Sequence, residues 1–380
     1  MKPRTVLFLT GSRGEYGYIL PILNRMRSAP SLKPHIVATN MHLLPEFGGT
    51  LKEFELDKIE VHETILMSLA GYTRESMAKS LGILIQSFVD VLMRVRPDWV
   101  LLAGDRGEQL AGAIAASYMQ IPVAHVQAGE LSGNIDGMAR HAITKFAHLH
   151  LSSNPDASER LRRMGEEEFR IQEVGAPQLD GLVESAALPR AEVRARYGAS
   201  GDRPFVLILQ HSVTEDAALS GIHMQTTLEA VQELDWDAVV IYPNNDAGSV
   251  PIQRAIEDVR GPRIRVERSV SRPLYASLMA AVDAMVGNSS SGVLEAPSFG
   301  LPAVNLGRRQ EGRLQGANVI NASHEKAAIQ AALKRAVDPA FRAKTRGPNP
   351  YGDGRSAERI VRLLTETPID EKLFVKRMTY

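Results

Sequence analysis

Apolar positions along the chain fall into short continuous runs separated by amphipathic stretches of helical period. The runs Thr5–Leu9, Pro34–Thr39, Ile59–His62, Trp99–Leu102, Val123–Val126 and His150–Ser152 read as strands, most of them buried on both faces. Between them, Ile19–Met26, Thr73–Val95, Gln109–Met119 and Asp156–Met164 space their apolar residues as helices do. Strand and helix in alternation predict βα units around a parallel sheet. Residues 185–203, rich in Ala, Arg, Gly and Pro, hold a short helical segment and little core material, so an interdomain linker is expected there. The alternation then restarts, with strands at Phe205–Leu209, Ala238–Tyr242, Ile264–Val266, Ala284–Val286 and Ala303–Leu306. The expected architecture is α/β, two successive Rossmann-like domains over 1–184 and 185–354, followed by a last helical segment from Arg355 to Leu364.

Ligands of open parallel sheets bind beyond the carboxyl ends of the strands. Two neighbouring predicted strands end there in Gly104-Asp105-Arg106 and in Gln127-Ala128-Gly129-Glu130, and Asp136 follows in the next loop. A single Asp before a helix is ordinarily a cap. Three acids and Arg106 at two adjacent strand ends ask for more than capping, and Asp105, Gln127, Glu130 and Asp136 are expected to face one crevice. The first strand runs into a Gly-rich turn, Thr10–Gly17, and a helix, a layout that aims backbone N–H groups at an anion. Its spacing fits neither a dinucleotide fingerprint nor a phosphate loop. Arg13 in that turn can bind phosphate bidentately, and the loop after the second strand adds His42 and Glu46 on the same side.

The second half repeats the arrangement. Gln210–Asp216 places His211 at a strand end, and Tyr242–Ser249 places Asn245 at the next. The stretch Val286-Gly-Asn-Ser-Ser-Ser-Gly-Val-Leu-Glu-Ala-Pro297 is the most pointed. An apolar strand ends in Ser289, Ser290 and Gly292 and enters a helix, which brings N–H groups, hydroxyls and a positive helix end together. A diphosphate is the expected guest, with Glu295 one turn on for a ribose diol. Arg308, Arg309 and Arg313 follow the next strand.

Composition narrows the class. At 380 residues, with 44% hydrophobic and 23% charged, the chain is expected to be a globular protein of two domains. A formal net charge of zero argues against a nucleic-acid footprint. The absence of cysteine excludes disulfides and thiolate chemistry. The apolar core Val6–Leu9 is too short for a signal peptide, and no run approaches the roughly 20 residues of a membrane span. A cytoplasmic location is expected, with neither membrane nor nucleic acid as a partner.

The stretches GSRGEYG, MHLLPEFG, GDRGE, AGELSGNID, RHAITKFAHLH, PNNDAGS and GNSSSGVLEAPSFGLPAVNLG, in this order, resemble the hydrolysing UDP-N-acetylglucosamine 2-epimerases of bacterial sialic and legionaminic acid synthesis. The resemblance runs from residue 11 to residue 313. It implies a GT-B fold with the active site in the interdomain cleft and a C-terminal helix, about 355–380, returning to the first domain. It implies phosphate contact by Arg13, diphosphate contact by Ser289 and Ser290, ribose contact by Glu295, and a place near the nucleotide for Arg309. It further implies catalytic roles for Asp105 (with Arg106 beside it), Asp136 and His211. The family's HxEGGE acid falls at Gln127, in HVQAGE. Gln cannot act as a base, so that role passes to Glu130 or Asp136, or the assignment differs in this branch. A homodimer or homotetramer without metal or redox cofactor is expected.

The reaction so implied removes H2 of an N-acetylhexosamine, expels the nucleotide diphosphate from C1 and passes through a 2-acetamidoglycal. Water and a proton then add to give a free ManNAc-type sugar. Such chemistry needs carboxylates for proton transfer and cationic or N–H donors at the leaving diphosphate. UDP-N-acetylglucosamine, UDP-2,4-diacetamido-2,4,6-trideoxyglucose and a GDP-linked form all fit as substrates. A non-hydrolysing epimerase, a GT-B glycosyltransferase and a non-catalytic nucleotide-sugar-binding protein are the competing readings.

Overall fold

The computed structural model describes residues 2–45, 49–69, 73–132, 135–199, 201–244, 246–259, 261 and 263–379. The chain divides into two compact units, one of Met1–Leu131, Ile135–Asp180 and Tyr351–Tyr380, the other of Ser132–Asn134 and Gly181–Pro350. In the first unit the chain runs β1 (Arg4–Thr10), α1 (Arg13–Met26), β2 (Leu32–Thr39), α2 (Leu51–Leu56), β3 (Glu63–Ile65), α3 (Arg74–Val95), β4 (Trp99–Ala103), α4 (Gly107–Tyr118), β5 (Val123–Val126), α5 (Ile135–Phe146), β6 (Leu149–Ser152), α6 (Pro155–Arg163) and β7 (Ile171–Glu173). The second holds α7 (Arg190–Arg196), β8 (Phe205–Leu209), α8 (Ser220–Glu233), β9 (Asp237–Ile241), α9 (Ser249–Asp258), β10 (Ile264–Glu267), α10 (Arg272–Ala281), β11 (Ala284–Gly287), α11 (Ser291–Leu294), β12 (Ala303–Leu306), β13 (Val319–Ala322), α12 (Lys326–Val337) and α13 (Pro339–Arg342). Helices α14 (Ser356–Glu366) and α15 (Glu371–Phe374) belong to the first unit again.

Both sheets are parallel throughout, in the orders β3-β2-β1-β4-β5-β6-β7 and β10-β9-β8-β11-β12-β13. The expected pair of Rossmann-like α/β units is what the chain forms. In each, strand order reverses beside the first strand, between β1 and β4 and between β8 and β11, and such switch points are where ligands bind. Burial on both sheet faces explains the unbroken apolar runs. Along β1 and β4, Val6, Phe8 and Leu101 enter one core layer while Leu7, Leu9, Val100 and Leu102 enter the other. Helix α3 is, among the described residues, the one helix long and apolar enough to cross a membrane. It instead buries Leu84, Phe88, Val91 and Leu92 in a core layer of the first unit. Helix α14 packs on α1, burying Ile360 and Leu364, and the Arg4 guanidinium donates to the Leu364 and Thr367 carbonyls, both at 2.8 Å.

Several elements differ from the sequence reading. The third strand is Glu63–Ile65 and not Ile59–His62, because Ile59 and Val61 pack on the core as a turn after Lys58, whose φ is 55°. Helix α1 starts at Arg13, well before Ile19, since Ser12 and Glu15 form a capping box. Strands β7 and β13 carry no apolar run, being short and only partly buried at sheet edges. Residues 190–197 are structured: Val193 and Tyr197 are buried, α7 packs on α10, and Arg190 and Arg194 reach Asp283 at 2.7 and 3.3 Å.

Gly287, with φ of 138°, ends β11 where a Cβ would overlap the Leu209 carbonyl of β8. Gly287→Ala is therefore expected to cost about 3 kcal/mol or more, whereas Gly14→Ala, whose Cβ meets nothing nearer than Ser12 Oγ at 3.8 Å, leaves thermal melting near wild type. Equal melting temperatures for Gly287→Ala and wild type would contradict this packing.

Candidate active site

In the first unit the ends of β4 and β5 are joined by one side chain. Arg140, four residues after Asp136 on α5, is 1% exposed. Its guanidinium pairs with the Asp105 carboxylate and donates to the Gln127 carbonyl at 2.7 Å. A cation this buried is tolerable only when paired and hydrogen-bonded. The left-handed backbone of Gln127, φ 61°, accompanies this contact, and its side chain is buried. Asp136 lies half-buried in the first turn of α5, one helical turn from Arg140. Glu130 is buried and accepts from Asn154 Nδ2 at 2.6 Å, while Asn154 Oδ1 caps α6 through the Ala157 N–H at 2.9 Å. Beneath this loop His125 lies 2.6 Å from the Gly104 carbonyl through Nε2, which makes Nε2 the donor. Burial pushes its pKa down to about 3, so it is a neutral brace.

The Gly-rich turn after β1 differs from expectation in what it holds. The Gly11 and Ser12 N–H groups donate to the Glu15 carboxyl oxygen Oε2 at 2.5 and 3.1 Å, so the chain's own carboxyl group occupies this turn. Arg13 is half-buried at the start of α1. Glu15 lies against Glu108, which is held by Asn40 and by Arg106 Nε at 3.4 Å. Burial, then the charge of Glu108, raise the Glu15 pKa to about 8. His42, expected at the binding crevice, is 1% exposed, with Thr10 and Thr50 hydroxyls at 3.0 and 2.6 Å on its two nitrogens. It is a core side chain held neutral by burial, its pKa pushed down to about 3. Glu46 lies outside the described residues.

In the second unit, the ends of β8 and β11 are tied reciprocally. Asn288 Oδ1 accepts from the His211 N–H at 2.7 Å and Asn288 Nδ2 donates to the His211 carbonyl at 2.8 Å. His211 Nδ1 accepts the Asn244 N–H at 3.1 Å, which leaves Nε2 as the protonated, donating nitrogen. The Asn288 carbonyl accepts from Gln310 at 2.9 Å and Arg309 at 3.3 Å, and Gln310 in turn accepts from Arg313 at 2.9 Å. Two of the three arginines are thus drawn to the β11 end. The third, Arg308, is a surface partner of Asp216 at 3.1 Å.

The serine loop is tighter than a helix N-terminus. Helix α11 is a single turn, and Ser289 Oγ itself accepts the Ser291 N–H at 3.3 Å. Ser290 is half-buried at the cap, and Gly292 packs against Ala303, where a Cβ would come within 3.1 Å. Glu295 accepts from Ser291 Oγ at 2.5 Å, Tyr275 donates to the same hydroxyl at 2.6 Å, and burial raises the Glu295 pKa. A cavity of about 270 Å³ opens beside His211 and Asn288, with His223 and His324 stacked at 3.8 Å on its wall. Asn245 lies outside the described residues. Among the described residues no three His, Asp or Glu side chains gather as a metal site requires.

Arg140 and Asn288, which hold these strand ends together, were not singled out from the sequence. The spacing of Asp136 and Arg140 by one helical turn was a signal for the first. For Asn288, adjacent to two serines, there was none.

Two parallel α/β units thus carry acids near one switch point and hydroxyl, amide and guanidinium donors near the other. The chain belongs to the UDP-N-acetylglucosamine 2-epimerase family, whose model matches residues 24–365, and it is an enzyme of that type. It is 36% identical over 378 residues, 99% of this chain and 100% of the other, to the UDP-N,N'-diacetylbacillosamine 2-epimerase (hydrolyzing) of Legionella pneumophila. It is 30% identical to the GDP/UDP-N,N'-diacetylbacillosamine 2-epimerase (hydrolyzing) of Campylobacter jejuni, over 84% of this chain and 85% of that one. The UDP-GlcNAc 2-epimerase of Neisseria meningitidis, solved with UDP-GlcNAc bound, superposes with a TM-score of 0.81 at 20% identity, covering 96% of this chain and 100% of that one. The GT-B class expected from the sequence is the fold observed.

The Glu15 carboxyl gives a pH test of the first unit. Its folded pKa near 8 lies above the ordinary 4.5, so the fold holds a proton that the unfolded chain releases. Stability from this group is full below pH 4.5 and is lost as pH rises through 8. Glu15→Gln, which keeps an acceptor for the Gly11 N–H, is expected to flatten the fall in melting temperature between pH 5 and 9. An unchanged slope in the variant would contradict a buried, protonated Glu15.

Proposed function

We propose that the protein is a hydrolysing 2-epimerase acting on UDP-2,4-diacetamido-2,4,6-trideoxyglucose, with UDP-N-acetylglucosamine as the second candidate. The observation that carries this reading is the end-to-end match to the Legionella pneumophila enzyme named for that diacetamido sugar. In the proposed reaction a carboxylate takes H2 while the C1–O bond to UDP breaks, giving the 2-acetamidoglycal. Water then adds at C1 and a proton returns to C2 on the opposite face, releasing a free manno-configured sugar.

The acids of the first unit are assigned to the sugar. Asp105, oriented by Arg140, and Asp136, half-buried on the same helix as Arg140, are the proton-transfer groups. Glu130, buried and fixed by Asn154, is assigned a supporting part beside them. Gln127 contributes its carbonyl to Arg140 and takes no proton. The loops of the second unit are assigned to the nucleotide. Ser289, Ser290 and Gly292 accept the diphosphate, Arg309 and Arg313 offset its charge, and Glu295 takes the ribose. His211, whose Nε2 is a donor, assists departure of the diphosphate. Arg13 adds a further phosphate contact. A homodimer or homotetramer in the cytoplasm, supplying sialic- or legionaminic-type acid synthesis, completes the reading.

Incubating the protein with each UDP-sugar in deuterated water and following proton NMR tests it. Released UDP and a free manno-configured sugar carrying deuterium at C2 are expected. Deuterium in a sugar still joined to UDP would mark a non-hydrolysing enzyme, and no change with either sugar would contradict the proposed substrates. Asp105→Asn and Asp136→Asn are each expected to lower kcat by about 10²–10⁴-fold, with UDP affinity retained.

A further inference from the structure

The helix that carries Asp136 and Arg140 is fastened at its far end by a side chain from the stretch that follows α15. A helix leaves its final carbonyls without intrahelical partners and carries negative partial charge there. At the end of α5, Lys376 Nζ donates to the carbonyls of Thr144 at 2.8 Å, Lys145 at 3.3 Å and Ala147 at 2.6 Å. The same ammonium pairs with Glu166 Oε2 at 2.7 Å. Glu166, its side chain 2% exposed, also takes Lys145 Nζ at 2.9 Å and His150 Nε2 at 2.8 Å.

The segment bearing Lys376 is itself held rigidly. Arg170, fully buried, donates to the carbonyls of Leu373 at 2.7 Å and of Lys372 and Val375 at 3.0 Å, and pairs with Glu167 at 2.8 Å. Leu373 is buried in the core of the same unit. This buried charge lies at the opposite end of α5 from Asp136. Its mechanical consequence is to fix where α5 sits along and about its axis. Arg140, and with it the orientation of Asp105, follows from that placement.

We propose that Lys376 is a positioning residue for the epimerisation: by capping α5 from behind it sets the register of Asp136 and Arg140, and through Arg140 that of Asp105. The proposal rests on the function proposed above, in which these groups move the protons. Proton transfer tolerates little misplacement, so a small shift of α5 lowers the rate without touching the diphosphate and ribose contacts assigned to the other unit.

The groups facing Lys376 decide its pH behaviour. Burial lowers the Lys376 pKa from 10.5 to about 8; Glu166 opposes this, while Arg170 and Lys145 add to it. His148 and His150 are pushed down to about 4, in both cases chiefly by burial, and do not titrate near pH 8. Glu166 stays ionised: burial opposes this, but His150 and Lys376 hold its pKa well below the ordinary range. The cap is therefore charged below pH 8 and is lost as pH rises through that value.

The test is steady-state kinetics of UDP release by the full chain as wild type, Lys376→Met and Lys376→Arg, with melting temperature and UDP affinity measured on each. Lys376→Met is expected to lower kcat about tenfold, with KM and UDP affinity within twofold of wild type. Lys376→Arg, which cannot lose its charge in this range, is expected to recover most of kcat and to move the alkaline limb of the kcat profile from near pH 8 to higher pH. Wild-type kcat in Lys376→Met overturns the proposal. Should Lys376→Met not fold, an alkaline limb unmoved in Lys376→Arg overturns it. Wild-type protein that releases no UDP from either sugar sinks the proposed function, and this proposal with it. Wild-type turnover with an unaffected Lys376→Met sinks the positioning role alone.

Discussion

The first unit depends on one buried guanidinium. Arg140 lies out of water between two strand ends, and it is stable there because the Asp105 carboxylate and the Gln127 carbonyl both receive it. Removing either partner would leave a charge stranded in a medium that solvates it poorly, a loss of several kcal/mol in typical buried pairs. The same constraint makes the site rigid. Asp105 cannot turn away, the loop after β5 must present its carbonyl inward with Gln127 in a left-handed conformation, and α5 must hold its place. Catalytic groups that transfer protons gain from this kind of preorganisation, since their reorganisation is complete before substrate arrives.

Similar logic, with neutral groups, orders the second unit. Asn288 exchanges two hydrogen bonds with the His211 backbone, and its carbonyl gathers Gln310 and Arg309. An amide does here what an ion pair does in the other unit. Glu15 is a contrasting case. The first Gly-rich turn has the backbone layout of an anion site, but the helix's own N3 carboxyl group, protonated by burial, fills it. A turn of this kind is therefore a poor guide to phosphate unless the capping residue is considered with it.

Most of the fold was legible because parallel strands buried on both faces are written as continuous apolar runs, and helices between them keep their period. What was illegible follows from the same physics. Strands β7 and β13 sit at sheet edges, where partial burial demands no apolar run. The segment around α7 contributes little more than Val193 and Tyr197 to a core, so its Ala- and Arg-rich sequence reads as linker although it is folded. Among the residues assigned to the site, the acids and serines stood out by their position after strands. Arg140, Asn154 and Asn288 did not, because each acts through a partner distant in sequence, and single-sequence patterns carry only local spacing. His42 stood at a promising strand end, yet its ring is consumed by Thr10 and Thr50. Position at a strand end selects candidates; burial and hydrogen bonding decide which of them face a ligand.

The central claim is that the Arg140 tie orients the acids that act on the sugar. The most direct measurement is kcat of Arg140→Met on the UDP-sugar that the wild-type protein hydrolyses, read beside UDP affinity. A fall of about a hundredfold or more in kcat, with UDP affinity unchanged, is the predicted result. Wild-type turnover in Arg140→Met would contradict the account.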